Sequence, residues 1–359
     1  MTDAIHPNGH TLIGRYRIER FLAEGGMQQV FVAKDLSFDR RAVLKVPKNS
    51  SAEKRFEGSA RMSARINHSN VAETLDYFDE NQRSYLVEEF VEGADLGARL
   101  TDTFAIMDPH LAAHVVHHVA RGTAAAHHAK VFHRDLKPSN IVVSKDPGLM
   151  VVKITDFGIA KMAEREISDA VQNDRTLTGS STAMGALPYM APEMIDSPRS
   201  AKRAADIWAI GAILYRLLDG NPPYGTGLKA VLKIAQAEPP AKPAILEKMK
   251  QFEPLTQELW NIVMACMKKD PKSRPDADAL MDMCSRLCYS RSERKTGIIQ
   301  SFGVGTGQWG EILSDDGNRV FFHVHGFYGD SPEEGTRVNF ASSPGVPKPR
   351  AFPVLPIKS

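Results

Sequence analysis

His133-Arg134-Asp135-Leu136-Lys137-Pro138-Ser139-Asn140 is the stretch whose reading decides the fold. Within eight residues it places a carboxylate, two cations, a turn-setting proline and an amide. Asp156-Phe157-Gly158 follows twenty-one residues after Asp135. Upstream, Tyr16-Arg17-Ile18-Glu19-Arg20-Phe21-Leu22 and Val30-Phe31-Val32-Ala33-Lys34 alternate in polarity as strands do. Ala23-Glu24-Gly25-Gly26-Met27-Gln28-Gln29 joins them. A turn holding glycine can lay backbone N–H groups over an anion, although a Gly-Gly turn by itself is more often only a hairpin. Ala42-Val43-Leu44-Lys45 comes next, and a lone lysine ending an apolar strand is ordinarily solvated.

In this order and at these spacings, residues 12 to 288 resemble the protein kinases, and Lys137-Pro138 resembles the serine/threonine branch rather than the tyrosine branch. The compact form looks like the bacterial branch. The resemblance implies an α+β, bilobal fold, with a β-rich N-lobe over 12–91 and a helical C-lobe over 92–290. It also implies roles. Asp135 orients the acceptor hydroxyl and takes its proton, Lys137 neutralises the γ-phosphate, and Asn140 and Asp156 hold Mg²⁺ through hard oxygen ligands. ATP lies against Leu22, Gly25, Gly26, Val30, Val43, Lys45 and Val142, with the hinge backbone of Glu89 and Val91 on its base. The implied activity is ATP- and Mg²⁺-dependent transfer of the γ-phosphoryl group to protein Ser/Thr hydroxyls, its own activation segment included. That segment, between Asp156 and Ala191-Pro192-Glu193, offers Thr176, Thr178, Ser180, Ser181 and Thr182 as phosphosites, with Arg134 as a dock for the phosphate. The competing class is a pseudokinase, an ATP-binding scaffold that signals through its C-terminal domain.

Four departures from the family pattern bear on activity. The three glycines of the phosphate loop are here Ala23, Gly25 and Gln28, so a side chain is expected near the phosphates. A helix is predicted over Glu53 to Asn67, and its lysine-pairing glutamate position holds Ser59. Glu57 lies two residues off, about 200° round the helix. Glu88 falls at the usually apolar gatekeeper position, and a buried unpaired carboxylate costs several kcal/mol. Glu88 therefore either replaces the helix glutamate and pairs with Lys45, or bends to solvent, or the helix register differs. Ala186 stands where the family has a threonine that positions the base and lysine. Two supports match the family: Asp206 to Gly211 is expected to brace the catalytic loop, and Arg274 to pair with Glu193.

The bulk properties are those of a globular chain: 359 residues, 42% hydrophobic, 25% charged, net charge +2. No polybasic character argues for nucleic acid or membrane. The longest apolar run, Ile207 to Tyr215, is about half of a bilayer crossing, which suggests a core helix. Met1 to His10 does not read as a signal peptide. The expected place is the cytoplasm, with the three cysteines as reduced, packed thiols. His110, His114 and His118 stand at i, i+4 on a helix predicted over Pro109 to Ala129. That spacing can bind metal, but no carboxylate or cysteine joins them, and a solvated face is expected.

After a polar linker at 291–296, helix formers give way to Gly-rich alternation over 297–342. Gly307-Gln308-Trp309-Gly310-Glu311-Ile312 and Val320-Phe321-Phe322-His323-Val324 resemble the nucleic-acid-binding motifs of cold-shock domains, small OB-fold barrels. Gly335 to Phe340 resembles the closing strand. Trp309, Phe321 and His323 fit the base-stacking positions. Glu311 replaces one aromatic, and Ser301 stands where a tryptophan is usual. Six acids against two bases over 297–342 oppose phosphate binding. A protein partner, or intramolecular regulation by a barrel packed on the kinase, is expected instead. The Pro-rich tail, 343–359, is expected to be extended.

Overall fold

The computed structural model describes residues 4–25, 28–48, 50–157, 185–196, 203–304 and 307–358. Strands β1 (Thr11–Leu12), β2 (Tyr16–Glu24), β3 (Gln28–Asp35), β4 (Arg40–Pro47), β5 (Thr74–Glu80) and β6 (Arg83–Glu89) form one antiparallel sheet in the order β1-β2-β3-β4-β6-β5. β-branched and aromatic residues such as Ile18, Phe31 and Val46 fill one face of it, as pleated surfaces favour. Helix α1 (Ser50–Ser63) packs on the other face through Phe56 and Ala60 against Leu86. The helix starts and ends earlier than 53–67, and residues 64–66 close it with single turns.

The second lobe holds α2 (Leu96–Asp102), α3 (Pro109–His128), α4 (Pro192–Asp196), α5 (Arg203–Asp219), α6 (Leu228–Gln236), α7 (Ala244–Lys248), α8 (Leu255–Cys266) and α9 (Ala277–Ser285). A small sheet, β7 (Gly93–Asp95), β8 (Ile141–Ser144) and β9 (Val152–Ile154), faces the N-lobe side. The run from Ile207 to Tyr215 lies in α5, which is buried nearly all round, as a helix apolar on every face must be. Asp108 caps α3. Its carboxylate accepts from the His110 and Leu111 backbone N–H groups, and Pro109 occupies the first turn, where no donor is lost. Among the described residues no helix is long and apolar enough to cross a membrane.

The C-terminal domain is a closed five-stranded barrel, and its boundaries differ from those expected. β10 (Arg294–Val304) starts inside the expected linker, followed by β11 (Trp309–Ser314), β12 (Arg319–His323) and β13 (Arg337–Ser343). The expected tail supplies β14 (Arg350–Pro356), which inserts between β12 and β13 and closes the order β10-β11-β12-β14-β13. Gly335 to Phe340 therefore leads into the penultimate strand. Prolines concealed β14, because proline donates no ladder hydrogen bond. Ala351, Val354 and Leu355 are nonetheless buried. Gly310 has a steric reason, since a Cβ there would come within 2.4 Å of the Phe322 ring.

The barrel is packed on the C-lobe. Tyr328 and Leu355 join the C-lobe core, and the Phe252 ring meets Tyr328 edge-on and stacks on Phe352. Arg294 reaches the buried Asp108 carboxylate and donates to Asn339 Oδ1 at 2.7 Å. Asn339 Nδ2 in turn donates to the Pro147 carbonyl at 2.8 Å. Lys358 N donates to the Thr103 carbonyl.

His110, His114 and His118 are not a solvated face. His110 accepts from the Ser290 backbone N–H, His117 bonds the Tyr289 hydroxyl, His114 bonds the Leu149 carbonyl, and His118 bonds the Asn70 amide. All four line a cavity of about 480 Å³ beside the residues that lead into the barrel. Burial, with neighbouring His114 and His117, pushes His118 down to about 4, so it is neutral near pH 7. Cys266 and Cys284 are buried free thiols, whereas Cys288 is exposed rather than packed.

Candidate active site

The loop from His133 to Asn140 is held from below by one carboxylate. Asp206, at the start of α5, is 1% exposed and accepts from the backbone N–H of His133 at 2.9 Å and of Arg134 at 2.6 Å. His127 Nε2 adds a third contact to Asp206 at 2.8 Å. Burial pushes the Asp206 carboxyl up, but His127 and these donors outweigh it and hold the group below its ordinary range. Arg134 sits at φ 65° and Asp156 at φ 63°, left-handed conformations that non-glycine residues adopt only where the surroundings enforce them. The His133 ring bonds the Thr155 carbonyl at 2.9 Å and lies 4.8 Å from the Phe157 ring, which ties the two chemistry-bearing loops together.

On this platform Lys137 Nζ lies 2.9 Å from Asp135 Oδ2. Asn140 Nδ2 donates to the Asp135 carbonyl at 2.8 Å and approaches its carboxylate at 3.4 Å. The amide nitrogen is thus spent on the loop. Across the cleft, Lys45 Nζ donates to Asp156 Oδ1 at 2.8 Å and to Glu88 Oε2. Lys45 is almost wholly buried. Burial opposes its charge, but Asp156 and Glu88 together outweigh that and raise its pKa above the ordinary lysine value. Of the alternatives open for Glu88, the pairing with Lys45 is the one observed. Glu57 instead pairs with Arg61 at 2.6 Å on the outer face of α1.

Gln28, at the third glycine position, reaches Asp156 Oδ1 at 3.4 Å with its amide. Val30 and Val43 from the N-lobe and Val142 from the C-lobe are half-buried, and Leu22 is exposed. Gly25 closes its turn by donating to the Gln28 carbonyl at 2.9 Å. Val91 is half-buried. Glu89 binds the strand backbone and carries an unanticipated clasp, Lys153 Nζ at 2.7 Å. Gly26 and the candidate phosphosites Thr176, Thr178, Ser180, Ser181 and Thr182 lie outside the described residues. Arg274 grips Glu193 with two bonds of 2.8 Å, as expected. The contacts of His127, His133 and Lys153 were not anticipated, and only His133 had a signal, its place beside Arg134-Asp135.

Residues 16–284 match the protein kinase domain family. This chain belongs to the protein kinases. PrkC, a serine/threonine-protein kinase of Bacillus subtilis, is 30% identical over 302 residues, which cover 81% of this chain and 43% of that protein. Serine/threonine-protein kinase PknA of Mycobacterium tuberculosis is 34% identical over 261 residues, 69% of this chain and 57% of its own. The chain spans about half the length of the curated relatives it matches. The crystal structure of Rad53 with AMP-PNP shares the fold at a TM-score of 0.58 and 20% identity, covering 75% of this chain and 64% of that one.

Proposed function

We propose that this kinase transfers the γ-phosphoryl group of ATP to Ser/Thr hydroxyls of proteins, its own activation segment included. The observation that carries the reading is a pair of contact sets on two loops tied together: Lys45 with Asp156, and Asp135 with Lys137 and Asn140, the loops joined by the His133 ring on the Thr155 carbonyl. The donor set suits Mg²⁺: one carboxylate and one amide oxygen, with space for phosphate oxygens, is how this cation is usually held. When bound, the ion neutralises charge on the phosphates. The chain's own groups do the rest. Asp135 aligns the acceptor hydroxyl and accepts its proton, Lys137 meets charge on the transferred group, and Lys45 fixes the remaining phosphates. Gln28 would have to release Asp156 for the nucleotide to enter. Phosphate incorporation from Mg-ATP into the protein and into a generic basic acceptor protein tests this, with Asp135→Asn as the control. Absent transfer by wild type would favour the scaffold reading.

Ala186 bears on the rate. It is buried beside Arg134, Asp135 and Tyr189, next to a residual cavity of about 20 Å³. Ala186→Thr would return a hydroxyl within reach of the base and lysine. One such hydrogen bond is worth about 1 kcal/mol, or about fivefold in rate. Turnover is expected to rise by about that factor with Mg-ATP affinity unchanged; steady-state kinetics decides.

The proposal extends to the barrel and to location. The strand order first, second, third, fifth, fourth, with the third and fifth parallel, supports an OB-type, cold-shock-like barrel. Its proposed role is an intramolecular one, on the strength of its packing against the C-lobe. A cytoplasmic place fits the free cysteines and the need for ATP.

A further inference from the structure

We propose that Glu88 is the positioning residue for Lys45, and that the anchor of the phosphate-binding lysine is thereby built into the sheet rather than borne by helix α1. This rests on the kinase reading above and deepens it. The register shows why Glu88 can reach. Lys45 faces Leu86 across the β4–β6 ladder, and Val43 faces Glu88. Directly opposed residues share a face, and so do residues two apart on one strand, so Glu88 is the diagonal neighbour of Lys45 on the same face. A glutamate and a lysine span that diagonal easily. The result is a contact between two side chains 5% and 4% exposed.

The described part of helix α1 provides no substitute. Ser59 is buried and carries no charge, and Glu57 is committed to Arg61 at the surface. Among the described side chains of α1, no carboxylate meets Lys45. Burial is the largest influence on the Glu88 carboxyl and pushes its pKa up, while the Lys45 charge pulls it down, so the two groups depend on each other. A carboxylate on a helix leaves when the helix rotates. A carboxylate on a central strand keeps its backbone anchor as long as the β4–β6 ladder stays paired. The Lys45 contact therefore stays formed wherever α1 sits, and helix movement is removed as a means of switching it.

Four full-length proteins test this: wild type, Glu88→Leu, Ser59→Glu and the double variant. Mg-ATP binding is measured by calorimetry, phosphate transfer by steady-state kinetics, and folding by thermal unfolding. Glu88→Leu is expected to weaken Mg-ATP binding by about ten- to a hundredfold, the worth of one hydrogen bond to a charged group. The double variant is expected to recover most of that loss, because the glutamate returns from the helix side, while Ser59→Glu alone brings no gain. Wild-type affinity in Glu88→Leu overturns the proposal. So does a loss that Ser59→Glu leaves unrepaired, which is what a merely structural role predicts. Wild type that binds Mg-ATP but transfers nothing would refute the kinase reading, and the binding measurements would still decide the role of Glu88.

Discussion

Asp135→Asn is expected to lower phosphoryl transfer by about 10²- to 10⁴-fold, the usual worth of a general base, and to leave Mg-ATP binding and thermal unfolding near wild type. The separation follows from how Asp135 is held. Its carboxylate, about one-fifth exposed, meets the Lys137 ammonium, so the variant must keep an acceptor there. Asparagine keeps the shape and can still accept from Lys137. It cannot take a proton from an acceptor hydroxyl. The loop itself is fixed by other groups, Asp206 below and Asn140 on the Asp135 carbonyl, and both survive the change. Single-turnover transfer with saturating Mg-ATP reads the chemical step. Rates equal to wild type would remove Asp135 from the role of base and put the reaction elsewhere.

The catalytic loop was legible in the sequence because the chemistry needs several residue types at fixed spacing. Residues 133 to 140 and Asp156 carry that information locally, and Lys45 carries it once the strands before it are recognised. Ser59, Gln28 and Ala186 were legible as departures by the same counting. What each departure does was not legible. Whether Glu88 meets Lys45 depends on the register of two strands separated by forty residues of chain, and register is fixed by packing across the sheet. Gln28 on Asp156, and Lys153 on Glu89, are likewise meetings of distant segments.

The ends of the barrel are not legible in the sequence for a different reason. Aromatic alternation marked β11 and β12, but proline-rich sequence hid β14 and made the tail look unstructured. The same prolines hide part of the domain's charge. Counted over the true barrel, residues 294–356, the bases Arg294, Lys295, Lys348 and Arg350 join Arg319 and Arg337 to equal the six acids. Two of them lie over aromatic rings, Lys348 over Phe321 and Arg350 over Trp309. The net negative charge over 297–342 was an effect of the boundary and does not hold for the domain. His110, His114 and His118 are not legible as buried because a helix face that looks polar in sequence meets the chain leading into the barrel, a contact no periodicity records.

Arg294→Met is expected to destabilise the protein by about 3–5 kcal/mol, the cost of stranding a buried charge by removing one partner. Asp108 is fully buried, and without Arg294 its carboxylate keeps, among the described residues, the two N–H donors of the α3 cap. Methionine preserves most of the volume, so a lost cavity contributes little. The double variant Asp108→Asn with Arg294→Met should recover a large part of the loss, because no charge is left unpaired. Urea unfolding of the three proteins measures this, and protease cleavage between residues 288 and 293 reports release of the barrel. A single variant as stable as wild type would mean that water already reaches Asp108. The position of the pair gives the prediction a second reading. Helix α3 runs about 30 Å from the Asp108 cap to His127, which bonds the same Asp206 that holds the catalytic loop. Barrel seam and loop support therefore sit at opposite ends of one rigid element. If α3 transmits strain, Arg294→Met should lower turnover per folded molecule as well as the amount folded; if it does not, turnover per folded molecule will stay at the wild-type value.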